Sequence, residues 1–299
     1  MKTTMMMAAV AALVAAPALA ADACKGDGEL VFAVVPAENA QGSMDRFTPT
    51  ADYLGSQLGT KVTLRVASDY AAVIEGHKAG NIHIGWHGPG SFARAYQVTD
   101  GNVTPFAALN NNGVVGYYAV LYVKADSPYQ TLADLKGKKL GLVDPNSTSG
   151  NFAVRFFMDR DDKIIPEQYF SDVVFAGSHE NAVIAVQQGT VDAGANWWDS
   201  EDASNLLQMA NKGMVKAEDF RIVWKSPLLA GSPLIYVNSL SDGCKAAIQT
   251  AFIDMVKNSP ETYAKFNDGK GLGFLPVELE DYRDSMAMIE YVDALRKKQ

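Results

Sequence analysis

The sequence predicts an α/β protein of two lobes joined by two chain crossings, and three observations lead there. Short runs rich in Val, Ile, Leu and aromatics alternate with apolar stripes at helical spacing along most of the 299 residues. That alternation is the mark of strands feeding helices over mostly parallel sheets. Two seams interrupt it: Lys124–Pro128, where a strand runs into Ala-Asp-Ser-Pro, and Ser226–Pro233, which holds two prolines and a glycine. The composition, 48% hydrophobic and 20% charged, supports one large or two ordinary cores and excludes a disordered chain, a collagen or a disulfide scaffold.

The elements follow in order. Residues 1–20 open with a single charge, Lys2. An apolar run from Met5 to Val14 follows, then Pro17-Ala18-Leu19-Ala20. A charged start, a short apolar middle and small residues before the break predict a secretory leader cleaved after Ala20. A membrane anchor needs a longer run. A lipidated Cys24 is disfavoured, because Ala21-Asp22-Ala23 lacks a large aliphatic residue. Strands are predicted at Leu30–Val35, Val62–Val66, Ile82–Trp86, Thr104–Leu109, Tyr118–Val123, Lys139–Val143, Val173–Ala176, Ala193–Asn196, Arg221–Val223 and Leu234–Val237. Helical stripes fall on Phe47, Ala51, Leu54 and Leu58, and on Ala182, Val183 and Val186. A third, on Tyr282, Met286, Ile289 and Val292, runs into Arg296-Lys297-Lys298, cations suited to a helix C-terminus. The predicted division is residues 21–124 with 230–299 as the first lobe and 125–229 as the inserted second lobe. Export to an oxidising compartment favours a bridge between the two cysteines, Cys24 and Cys244.

The formal net charge is −8, from 26 basic and 34 acidic residues, with no basic run. Nucleic acid and anionic lipid are therefore poor partners. The strongest local signal is Asp144-Pro145-Asn146-Ser147-Thr148-Ser149-Gly150, between a strand and a helical pattern beginning near Asn151. Turn residues and hydroxyls ahead of a helix collect free backbone N–H groups and O–H donors at one point, which suits an oxyanion. An ordinary helix cap reads the same way, and the Gly-Lys-Ser/Thr of a phosphate-cradling P-loop is missing. Gly177-Ser178-His179-Glu180 is a second strand-to-helix junction, with His179 near a helix start as a donor to an anion. Asn196-Trp197-Trp198-Asp199 ends another strand. Its tryptophans can wall a pocket and Asp199 can accept from a cation. Tyr70, Tyr117 and the turn Trp86-His87-Gly88 stand at element boundaries in the first lobe.

An enzyme reading stays open beside this one. Ser147, His179 and Asp199 are residue types of a hydrolytic triad, though no Gly-x-Ser-x-Gly elbow is present. His83 and His87 lack further ligands nearby for a metal, and dinucleotide-type glycine loops are absent.

Taken together, Ser68-Asp69-Tyr70-Ala71, Ile84-Gly85-Trp86, Gly116-Tyr117, the run 144–150, Gly177-Ser178-His179-Glu180, Val191-Asp192-Ala193 and Trp224-Lys225-Ser226-Pro227-Leu228 resemble the periplasmic phosphonate-binding proteins of ABC transporters. The resemblance covers nearly the whole mature chain. It implies an α/β, two-lobed type II periplasmic binding protein fold with two hinge crossings. It also implies a cleft for a phosphonate, with 2-aminoethylphosphonate as one candidate and phosphite, methylphosphonate or phosphate as alternatives. The implied contacts are Ser147, Thr148, Ser149 and His179 to the oxyanion, with Tyr70, Tyr117, Trp86 and His87 around it. Asp199 is the matched acid for an amino group. Trp198 lines the pocket, and Ser232 stands where the family carries a second acid. No Lys or Arg falls on a matched position, so capture by local dipoles without a formal cation is expected. The implied partners are an ABC permease and ATPase, with a sensory receptor as the rival. No cofactor, no metal, no enzyme activity and a monomer are expected.

Overall fold

The computed structural model describes residues 22–111, 113 and 115–297. The leader predicted over 1–20, with cleavage after Ala20, lies outside the described residues. Two mixed sheets organise the rest. The strands are β1 Leu30–Val34, β2 Val62–Val66, β3 Ile84–Trp86, β4 Val103–Leu109, β5 Gly116–Lys124, β6 Lys139–Leu142, β7 Asp172–Phe175, β8 Ala193–Ser200, β9 Ala203–Ser204, β10 Phe220–Lys225, β11 Leu229–Ala230, β12 Pro233–Val237 and β13 Phe274–Pro276. The first sheet has the order β13-β4-β12-β3-β1-β2 and the second β10-β5-β8-β6-β7, with β11 on β5 and β9 on β8.

The predicted strands form within a few residues of their expected ends, apart from β8, which continues four residues past Asn196 to Ser200. Three further strands, β9, β11 and β13, carry no sequence signal. Two are two residues long, and the third, Phe-Leu-Pro, ends in a residue that cannot donate to a ladder.

The sheets are not mostly parallel. β1 runs parallel to β2 and β3, and β6 to β7 and β8, whereas β5 is antiparallel to β8, β10 and β11. β12 is antiparallel to β3 and β4. The reason is the double crossing. A strand entering a sheet from the other lobe arrives at the end where the resident strands finish, so it runs against them. The same strand corrects the domain boundary. β5 belongs to the second sheet, so the chain crosses between β4 and β5 and returns through Gly231-Ser232 between β11 and β12. The seam at Lys124–Pro128 is a turn within the second lobe, closed by the Ser127 hydroxyl on the Lys124 carbonyl at 2.7 Å.

The first lobe has one large core in which Phe32, Phe47, Leu54, Phe106, Phe252 and Phe266 are buried together. The helix Ala40–Leu58 buries the predicted stripe of Phe47, Ala51, Leu54 and Leu58. The second lobe packs helices on both sheet faces. The C-terminal helix Arg283–Arg296 spans the two lobes. Its Met288, Ile289 and Val292 cluster with Ala93 of the first and with Phe152, Ala153 and Phe157 of the second. A disulfide joins Cys24 to Cys244, whose Cα atoms are 4.5 Å apart, and ties the N-terminus to the helix Asp242–Ile253.

Candidate functional site

The segments that follow β1, β2, β3, β6 and β7 and the end of β8 meet between the lobes and line one cleft of about 130 Å3. Ligands in α/β folds bind at these carboxyl ends of strands.

One pole of the cleft is built from residues 144–152. Ser147 caps the following turn by accepting from the Gly150 amide at 3.1 Å. The backbone over Thr148–Phe152 is a single wide π-turn before the helix Ala153–Asp162, which gathers amides at the cleft floor. Gly150 must be glycine, because a Cβ there would stand 2.3 Å from the Val143 Cβ. Ser147, Thr148 and Ser149 are all buried yet line the cleft. Thr148 Oγ1 accepts from the Gly90 amide of the first lobe at 2.9 Å, which leaves its own proton to donate. Gly88 permits this approach, since a Cβ there would meet Thr148 Oγ1 at 2.6 Å.

Two phenols face this turn from the cleft wall. Burial pushes the Tyr117 phenol up to about 12, with the Thr148, Ser149 and Ser232 hydroxyls acting against the shift. Burial also raises Tyr70, beside Ser147. Both are therefore protonated donors at neutral pH. Tyr70 and Asp144 meet across the lobes, the Tyr70 amide donating to Asp144 Oδ2 at 3.4 Å.

His179 lies in the cleft wall, 4% exposed. Asn196 Nδ2 donates to the His179 carbonyl at 3.0 Å, so the Asn196 oxygen must be the acceptor facing both the Trp197 amide and His179 Nδ1. His179 Nδ1 then carries the proton. Burial lowers the ring to about 4, so it is neutral and its Nε2 holds a lone pair. The expectation of a simple donor changes: in the ligand-free cleft the neutral ring offers an acceptor at Nε2 and becomes a donor there only when protonated.

The opposite pole lies at the crossings. Asp199 Oδ2 accepts from Asn111 Nδ2 at 3.1 Å. Burial raises its carboxyl to about 7, with Lys270 acting the other way. Ser232 and Trp197 also line this end. The expectation for Trp198 is corrected. Successive residues of β8 alternate faces, so Trp197 and Asp199 line the cleft while Trp198 turns away from it. Trp198 instead packs against Tyr118, with centroids 5.7 Å apart, under the Lys225 ammonium at 3.7 Å.

Trp86 and His87 line the cleft as wall rather than as free donors. Trp86 Nε1 is spent on the Ser232 carbonyl at 3.2 Å. His87 places Nε2 3.1 Å from His77 Nε2 and Nδ1 3.3 Å from Ser91 Oγ.

Sequence reasoning missed Arg46, Glu38, Ser43, Asn111, Gln208 and Asn267, all of which line the cleft. Arg46 departs from the expectation of no cationic neighbour. Its guanidinium is largely engaged, with Nε and Nη2 on the Phe266 carbonyl at 3.0 and 2.7 Å and its plane over Phe47. Only Asn111 had a local signal, an asparagine run before a glycine, which marks a turn. Ser147 and His179 are not hydrogen-bonded to each other. The Ser147 oxygen is held by Gly150 and the His179 Nδ1 by Asn196.

Comparison with known proteins agrees with this architecture. Residues 32–282 match the family described as ABC transporter, phosphonate, periplasmic substrate-binding protein. The chain is 30% identical over 260 residues to the phosphonates-binding periplasmic protein of Escherichia coli K12, covering 83% of this chain and 74% of that one. It is 30% identical over 302 residues to the phosphate-import protein PhnD of Mycolicibacterium smegmatis, covering 91% and 92%. The solved structure of PhnD1 from Prochlorococcus marinus in complex with methylphosphonate superposes with a TM-score of 0.76 at 18% identity, over 89% of this chain and 98% of that one. The fold is that of the periplasmic binding proteins, and the chain belongs to the family of periplasmic phosphonate substrate-binding proteins of ABC transporters.

Proposed function

We propose that this protein captures a phosphonate in its interlobe cleft and delivers it to an ABC permease and its ATPase, acting by binding and closure without turnover. One observation carries the reading. The Ser147–Ser149 turn, with its amides and hydroxyls, meets two protonated phenols, Tyr70 and Tyr117, in a cleft that bridges both lobes. Neutral donors in a water-poor site hold an oxyanion strongly, because the local dielectric is low and they are already oriented. The Tyr70–Asp144 and Gly90–Thr148 contacts cross the lobes beside this turn, so closure and anion capture share the same residues. A ligand that favours the closed form shifts the lobes by its differential affinity.

Asp199 selects among ligands. A carboxyl held near 7 repels a second oxyanion when ionised and pairs with an ammonium, which favours 2-aminoethylphosphonate. Ser232 supplies no second carboxylate, so methylphosphonate, phosphite and phosphate are the alternatives within the panel. Export through the 1–20 leader with cleavage after Ala20, and a monomeric state, complete the proposal. A sensory receptor is the rival destination. The hydrolase alternative needs a Ser147–His179 pair, and the partners those groups have instead favour capture.

Calorimetry and thermal unfolding of the mature protein against 2-aminoethylphosphonate, methylphosphonate, phosphite and phosphate test the reading. A ligand at 1,000 times its dissociation constant stabilises by about 4 kcal/mol. No shift with any member of the panel at millimolar concentration refutes phosphonate capture. Turnover abolished in Ser147→Ala revives the hydrolase.

A further inference from the structure

Four charges meet where the lobes face each other at the rim of the cleft. The first lobe supplies Glu38, after β1, and Arg46, in the helix Ala40–Leu58. The second supplies Glu180, in the helix His179–Gln188, and Lys212, which caps the helix Asn205–Asn211. Lys212 Nζ stands 2.5 Å from Glu38 Oε2 and 3.2 Å from Glu180 Oε1, and Arg46 Nη1 stands 3.5 Å from Glu38 Oε1. The two carboxylate side chains are 6% and 3% exposed. Glu180 Oε2 also accepts from the Asn39 amide at 3.0 Å and from Asn39 Nδ2 at 3.2 Å, while the Glu180 amide donates to the Ala37 carbonyl. Burial works against the Lys212 charge, and the two carboxylates outweigh it and raise its pKa.

The charges alternate in sign, Arg46, Glu38, Lys212, Glu180, and each lobe owns one neutral pair. Opening the cleft therefore separates Glu38 from Lys212 and Asn39 from Glu180 yet strands no buried charge, so the open form stays accessible. The elements involved also lie off the hinge. β1 is two strands from β12, and β7, which leads to Glu180, is three strands from β5. At about 4.8 Å per strand these spacings give the contacts a lever arm of about 10 to 15 Å.

We propose that Glu38, Lys212 and Glu180 form an interlobe latch that sets the open–closed balance of the ligand-free protein and so scales affinity for every ligand alike. Lys212 acts as a positioning residue, since it holds the lobes rather than the ligand. The affinity arm of the test rests on phosphonate capture; the ligand-free arm does not.

Single-molecule energy transfer between one label on each lobe, in the mature protein without ligand, reads the balance directly. K212M is expected to move the closed-to-open ratio about tenfold toward open, and K212R to restore most of it. In an E38Q background K212M is expected to add little, because the partner across the cleft is already gone. E38Q alone serves as the reporter should K212M fail to fold. Methylphosphonate and 2-aminoethylphosphonate are expected to weaken by the same factor in K212M. An unchanged ligand-free ratio, a loss confined to one ligand, or an equal K212M effect with and without Glu38 overturns the latch. If neither ligand binds the wild-type protein, capture of phosphonate fails while the ligand-free ratio still decides the latch.

Discussion

The two poles of the cleft are built in opposite ways. The pole at Ser147 is local, since Asp144 to Gly150 form one turn whose hydrogen bonds mostly close within a few residues. The crossing pole is assembled from a distance, Asp199 meeting Asn111 across 88 residues. The local pole offers neutral donors that any tetrahedral oxyanion can use. The assembled pole holds Asp199, whose carboxyl is raised to about 7, and under the proposed function it tells an amino-bearing ligand from a plain one. Under the proposed function, recognition of the anion and selection among anions are therefore separable.

The largest test of that separation is Gly150→Ala. The Cβ would stand 2.3 Å from the Val143 Cβ, so the turn must move. Calorimetry is expected to show every ligand weakened by about a hundredfold or more, the equivalent of about 3 kcal/mol, with Thr148→Val a milder version of the same uniform loss. A loss that spares one ligand would mean the turn is not a common anion seat.

Asp199→Asn is the complementary change. It is expected to weaken 2-aminoethylphosphonate by about tenfold to a hundredfold, the range for losing one charge-assisted hydrogen bond, and to leave methylphosphonate unchanged. Equal losses for both would remove the selective role of this pole.

pH distinguishes the poles without mutation. Below about 7 Asp199 is protonated and offers an ammonium no charge, so the preference for 2-aminoethylphosphonate over methylphosphonate is expected to shrink as pH falls from 8 to 6. The stability sign runs the other way. The folded value lies above the unfolded value of about 3.9, so the contribution to ligand-free stability is fully present below pH 4 and is lost as pH rises through 7. Asp199→Asn is expected to flatten both trends, by titration calorimetry and by thermal unfolding respectively.

The smallest expected effect is Trp198→Ala. With its ring on Tyr118 and Lys225 outside the cleft, it should change ligand affinity by less than about twofold, whereas Trp197→Ala lowers it. Equal losses would put both tryptophans at the ligand.

The strands were legible because a buried β-run such as Leu30–Val34 or Val120–Val123 declares itself by composition alone. The turn 144–150 was legible because capping and turn chemistry are local. Which lobe owned β5 was not, because a strand's partners lie elsewhere in the chain: Tyr118 pairs with Trp198, Lys225 with Val120. The face taken by Trp197 and Trp198 was likewise hidden, since an alternation can be read from either of two phases until the register is known.

The sequence by itself determined the class of fold and the capped turn at 144–150, both of which depend on residues close along the chain. Tertiary structure alone decided the rest. It turned Trp198 out of the cleft, set the tautomer of His179 through Asn196, raised Asp199 by burial and brought Glu38 to Lys212 across 174 residues. Each of these is a matter of desolvation or of contact between distant segments, and both exist only once the lobes have packed.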